Sequence, residues 1–189
     1  MCRLLKRLSH QRTGKRLSAI LLLLVSPILI VGVQHSDDWI KYTSKEGRYT
    51  VLLPSQPTVS TQEPTSAAGN KFIQYTASVF GSDVGYMVSY FDYPAEMIFT
   101  LDKARDGMVD AIKGTILSEH EISFGSYPGR DLRVLLKDPA GVEYVIHTRF
   151  YDIERRVYIV QFIMPKSNES ASEKATSKYF DSFQVIKTP

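Results

Sequence analysis

Three histidines follow the first apolar run of this chain: His35, His120 and His147. A zinc site needs three or four converging ligands, and on a helix it is betrayed by His-x₃-His or Glu-x-x-His spacing. Neither spacing occurs. His120 sits in Ser118-Glu-His-Glu121 and His147 in an alternating strand pattern, so both read first as solvated strand residues and only weakly as metal ligands. Asp102, Asp106 and Asp110 recur every four residues and line one helix face. General acid–base work needs carboxylates in unlike, partly dry surroundings. With Lys103 and Arg105 beside them, these acids read as a solvated face. Gly81-Ser-Asp-Val-Gly85 puts its serine second rather than third, so it is no nucleophile elbow. No phosphate-cradling loop or dinucleotide glycine fingerprint is present. The residues therefore assign no catalytic group, no cofactor and no metal.

Tyr127 and Arg130, in Tyr-Pro-Gly-Arg, form the best candidate contact site, because interfaces favour Tyr and Arg. The competing account is a turn in which Pro128 and Gly129 set the backbone and Arg130 pairs with a nearby acid. Asn168-Glu-Ser170 is a glycosylation tripeptide, meaningful only in a eukaryotic secretory pathway.

The N-terminus carries an address. Residues 1–16 hold six Lys or Arg and no acid, and Leu17–Val33 is almost wholly apolar. A basic segment before a short apolar run is the pattern of a secretory signal. Seventeen residues, interrupted by Pro27, are close to the lower limit for a spanning helix, so an uncleaved signal anchor is the rival reading. The chain divides into residues 1–33 as signal peptide or anchor, 34–38 as spacer and 39–189 as one domain. Setting aside the first 33 residues removes 6 of 23 basic residues and leaves 17 against 20 acidic ones. The chain's net +3 thus becomes about −3 for the exported part, which lacks the basic footprint that nucleic-acid binding requires. The one cysteine, Cys2, precedes the apolar run, so the domain has neither disulfide nor thiolate metal site.

The domain is organised around Val142–Met164. Val142, Tyr144, Ile146, Thr148 and Phe150 alternate onto one face, and Glu143, Val145, His147, Arg149 and Tyr151 onto a more polar one. Arg156–Met164 is apolar on both faces, which suits a central strand. A four-residue turn over Asp152–Arg155 predicts Ile146 opposite Gln161 and His147 opposite Val160. Further strands are expected at Tyr49–Leu53, Lys71–Phe80, Val84–Tyr93, Ile116–Phe124 and Asp131–Lys137, with a short piece near Trp39–Tyr42 and a closing one over Gln184–Lys187. Ser55–Asn70, rich in Pro, Gly, Ser and Thr, reads as a mobile loop. Leu101, Ala104, Met108, Ala111 and Ile112 share a helix face, with Thr100 as N-cap and Gly114 as stop. Ala171, Ala175, Tyr179 and Phe183 mark a last helix, opened by a Ser170/Glu173 capping box. Hairpins with segregated helices predict an α+β fold: an antiparallel sheet of six to seven strands flanked by two main helices.

Trp39-x-x-Tyr42 followed by Glu46-Gly-Arg-Tyr-Thr-Val-Leu-Leu-Pro54 resembles the opening of PsbP-like proteins, small exported α/β domains of which many have unknown function. Gly125-Ser-Tyr-Pro-Gly-Arg-Asp131 and Tyr179-Phe-Asp-Ser-Phe183 look like that family's later landmarks. The resemblance covers Trp39–Ile186. It implies an antiparallel sheet flanked by helices, and a non-enzymatic extracytoplasmic role as an accessory or assembly factor for a membrane complex. The photosystem subunits are one branch of that family, and no binding residue carries over. The expected partner is a protein at or near a membrane, in a periplasm, a thylakoid lumen or at a cell surface. Two alternatives stay open: a small metal-dependent hydrolase using His120, His147 and nearby acids, and a membrane-anchored chaperone.

Overall fold

The computed structural model describes residues 39–65, 69, 71–81 and 84–186. The targeting segment, Cys2, His35 and the last three residues lie outside them. In chain order the elements are β1 (Ile40–Ser44), β2 (Tyr49–Leu53), β3 (Thr58–Gln62), β4 (Gln74–Phe80), β5 (Gly85–Asp92), α1 (Leu101–Ile112), β6 (Thr115–Phe124), β7 (Tyr127–Lys137), β8 (Glu143–Ile153), β9 (Arg156–Pro165), two short 3₁₀ turns (Lys166–Asn168 and Ser170–Ser172), α2 (Glu173–Ser182) and β10 (Gln184–Val185). Seven strands form one antiparallel sheet in the order β3-β4-β5-β9-β8-β7-β6. Two meanders meet at the β5–β9 pair. A second sheet, β1-β2-β10, has three strands.

Alternation along the central strands sends side chains to both faces. One face carries Tyr86, Val88, Tyr90, Val145, Tyr151, Ile153, Tyr158, Val160, Phe162 and Met164. Tyr49, Val51 and Leu53 of β2 cover them, with Tyr179 and Phe180 of α2 and Phe183 just beyond it. The other face buries Leu132, Val134 and Phe150 under Leu101, Ala104, Met108, Val109 and Ile112 of α1. One helix thus lies on each face, and the fold is α+β as expected.

The hairpin at the centre differs from its sequence reading in register. Glu154 and Arg155 alone form the turn, both in the left-handed region at φ 51° and 65°. Two positive-φ residues make the tight turn whose twist suits a hairpin. Ile146 therefore faces Ile163, and His147 faces Phe162, two residues from the expected pairing. The supposedly polar face of β8 is the one that feeds the larger core. β3 is a second correction, since it lies inside the stretch read as a loop and pairs with β4 along its length. On α1, Thr100 caps Lys103 N–H as expected, but Val109 rather than Ala111 packs inward. Lys113, not a glycine, takes the left-handed C-cap. The Ser170/Glu173 capping box is not formed, because Ser170 lies in a 3₁₀ turn and α2 starts at Glu173.

The Glu46-Gly-Arg landmark has a structural cause. Gly47 N–H donates to Ser44 Oγ at 3.0 Å, and Tyr158 Oη donates to the Gly47 carbonyl at 2.9 Å. A Cβ on Gly47 would lie 2.6 Å from Ser44 Oγ and from the Tyr49 ring, so no larger residue fits. Arg156 donates to the Glu46 carbonyl at 2.7 Å and to both Asp92 oxygens at 2.6 Å, with its guanidinium 4.7 Å over Tyr90. The β1–β2 turn is thereby tied to the central strands of the large sheet.

Candidate functional site

The turn before β7 is only Gly125-Ser126, so Tyr127 is already in the strand, opposite Phe124. Tyr127 and Arg130 are three residues apart on one strand and project to opposite faces. The structure does not bring them together. Tyr127 Oη donates to Glu154 Oε1 at 3.0 Å, and that bond raises its pKa. Arg130 donates to Glu121 at 2.6 Å and to Asp102 at 2.8 Å. Its Nε lies 3.3 Å from Glu119, close enough for an ion pair, although the angle makes no hydrogen bond. Arg105 of α1 reaches the same Glu119 at 2.9 Å and 3.0 Å, and Asp106 at 2.8 Å. Two arginines and four acids thus clamp α1 to β6 and β7. The hydrogen bond from Arg130 holds the Asp102 carboxyl below its usual range.

His120 and His147 both lie on the opposite face, where His147 belongs to a polar cluster and His120 is exposed. Pairing sets His120 beside Asp131, and Asp131 beside Arg149. His147 lies one step along, opposite Arg133. His147 Nε2 and Asp131 Oδ1 are 2.7 Å apart, and Arg149 Nε donates to Asp131 Oδ2 at 2.8 Å. Burial pushes the Asp131 carboxyl up, but the bonds from His147 and Arg149 outweigh it and hold the pKa below the ordinary value. The His147 ring is 4.5 Å from Phe180, and the Arg149 guanidinium lies 4.7 Å over the same ring. Arg133 pairs with Glu169 between the two 3₁₀ turns.

An aspartate that orients an imidazole is half of a nucleophile-activating device. Here its second oxygen is taken by Arg149, and the imidazole packs on Phe180. The cluster fastens α2 and the turn before it to the sheet. Among the described residues no group of three or more His, Cys, Asp or Glu is placed to hold a metal ion. Asp131 escaped sequence reasoning because it lies 16 residues from His147. Only the β7–β8 register could have found it.

The two edges of the large sheet differ. All five residues of β3 are exposed, and none is charged. Val59 on it is 60% exposed, and the neighbouring Tyr75 and Ile73 are exposed as well. At the far edge, β6 bears Glu119, His120 and Glu121, and its pairing slips at Leu117 in a bulge. A shallow depression on the α1 face is lined by Phe80, Gly85, Tyr144, Ile163 and Pro165. There Phe80 lies flat on Gly85, where a Cβ would come within 2.7 Å of its ring. Among the described residues no helix is long and apolar enough to cross a membrane.

No family profile and no curated protein matches this chain. Solved structures do. Cyanobacterial PsbP from Synechocystis matches with a TM-score of 0.54 at 13% identity, over 85% of this chain and 99% of that one. A protein of unknown function from Pseudomonas aeruginosa matches with a TM-score of 0.45 at 11% identity, over 80% of this chain and 98% of that one. The fold is PsbP-like.

Proposed function

We propose that this chain is an exported, non-catalytic accessory module. It binds a protein partner at or near a membrane, and serves to assemble or stabilise a membrane-associated complex. The observation that carries this reading is the fold likeness to cyanobacterial PsbP, which takes in 99% of that chain and so the whole domain rather than a shared piece. The side-chain chemistry supports it. Arg105 and Arg130 have their polar atoms turned to Glu119 and Asp102 in pairs that hold α1 to the sheet, and Asp131 and His147 have theirs turned to each other across β7 and β8. The basic and apolar start of the chain supports a site of action outside the cytoplasm, whether the segment is cleaved or kept as an anchor.

Affinity capture of the tagged full chain from its native membrane fraction, after chemical crosslinking, tests the reading. The expected result is one protein recovered in near-stoichiometric amount, and the same amount with His120→Ala or His147→Ala. Loss of a measurable hydrolytic activity on changing both histidines would contradict it. Mass spectrometry of the native N-terminus separates a cleaved signal, with a chain starting after Val31, from an anchor.

A further inference from the structure

An edge strand offers a row of backbone N–H and C=O groups that only another extended backbone matches, and folded proteins commonly blunt such edges with charge, bulges or cover. β6 has the first two devices. Glu119 and Glu121 stand on it, and the bulge at Leu117 interrupts its line. β3 has neither, being five exposed residues in regular register with β4 and bearing no charge.

The side chains along β3 specify what would fit there. On one face, pairing sets Ser60 beside Thr76, and Thr76 beside Ser89. The last two share a buried hydrogen bond of 2.8 Å, so this row is made of hydroxyls. On the other face Thr61 lies beside Tyr75, and Val59 beside Ala77. A strand added to this edge must keep the alternation: small hydroxyls beside Ser60, apolar or threonine side chains beside Val59 and Thr61, and no charge. Thr58-Val-Ser-Thr-Gln62 itself meets that description. Turned antiparallel about Ser60, it sets Ser60 against Ser60 of the second copy, Val59 against Thr61 and Thr58 against Gln62. Because the offsets are even, each face meets its like. The hydroxyl row then runs unbroken through both copies, and no like charges oppose. The same operation on β6, centred at His120, would set Glu119 against Glu121.

The geometry points to β3 as a self-pairing edge through which two copies of this chain join their large sheets into one. The join is isologous and closes at two copies. Two short strands bury well under the roughly 1,600 Å² of a standard stable interface, so association is weak and rises with concentration. This is independent of the accessory role: a pair can form whether or not a further protein is bound.

Disulfide trapping on the full chain tests it, in a Cys2→Ser background that removes the one native thiol. In the pair, Cα atoms of opposed residues are about 4.5–5.5 Å apart, within disulfide reach. Ser60→Cys should therefore crosslink to itself under mild oxidation at least tenfold faster than Thr58→Cys. The latter's symmetry mate lies four residues along the strand, roughly 13 Å away. Glu121→Cys on the far edge should stay uncrosslinked. Sedimentation should show the average mass of the wild-type chain rising with concentration and that of Ser60→Lys, which opposes two ammonium groups, failing to rise. Equal crosslinking at Ser60→Cys and Thr58→Cys would overturn the assignment. So would identical sedimentation of wild type and Ser60→Lys, or a Ser60→Cys chain found joined only to a different protein.

Discussion

The two flanks of the large sheet solve the same problem differently. Both β3 and β6 end a hydrogen-bonded ladder, and both are long enough to pair. At β6 the edge is bent by a bulge and locked by Arg105 and Arg130, which take Glu119, Glu121, Asp102 and Asp106 into one network with α1. At β3 nothing covers the strand among the described residues, and its side chains are short and uncharged. One flank spends its polar groups on holding the domain together. The other leaves a surface open. The conspicuous polar side chains of the β6 flank are engaged in intramolecular pairs, while the inconspicuous β3 strand is available.

The scale for both flanks is set by the central strands. Phe162 is fully buried between them, so Phe162→Ala should cost about 3–5 kcal/mol in urea unfolding. Against that, Arg130→Ala should cost about 1–2 kcal/mol. It frees Glu121 and Asp102 and removes the packing of its stem, while partly exposed ion pairs contribute little each. A cost near zero would erase the contrast, since the β6 flank would then be no better held than β3.

Asp131→Asn, next in size, should cost about 1 kcal/mol near neutral pH through loss of charge-assisted bonds from His147 and Arg149. Its signature is a pH slope. The folded-state pKa of Asp131 lies below its unfolded value, so its contribution is complete above about pH 4 and is lost as pH falls through the folded pKa. Unfolding measured from pH 6 downward should show a shallower acid decline in the variant than in wild type. Equal slopes would remove Asp131 from the account. Smallest of all is Ser60→Lys, which should change stability by no more than about 0.5 kcal/mol, as at any exposed site without a special role. A large loss there would mean that β3 is needed for the fold and is not a free edge.

These two flanks were also unequally legible. The central hairpin, α1 with its Thr100 cap, and the α+β class follow from periodicities of two and 3.6 and from capping chemistry, and the structure has them. The large sheet has seven strands, within the expected number, but β3 stands among them while the expected strand Tyr49–Leu53 lies in the separate small sheet with β1 and β10. β3 was illegible because Thr-Val-Ser-Thr-Gln buries nothing, and burial is what writes alternation into a strand. Flanked by Pro57 and Pro64, it looks like a loop. The hairpin register was illegible because Glu154-Arg155 adopts two positive φ angles without the Asn or Gly that usually announce them. The Asp131–His147 contact was illegible for a separate reason: it exists only across β7 and β8, whose register no local motif announces. Arg130 was the opposite case: pairing with a local acid was already the competing account of that residue, and Glu121, Asp102 and Glu119 are those acids.

The contrast between the flanks is tested most directly by amide hydrogen exchange on the full chain as a function of its concentration. Amides of Thr58–Gln62 should become more protected as concentration rises, while those of Thr115–Phe124 should not change. Protection that is independent of concentration at β3, or that rises at β6 instead, would contradict it.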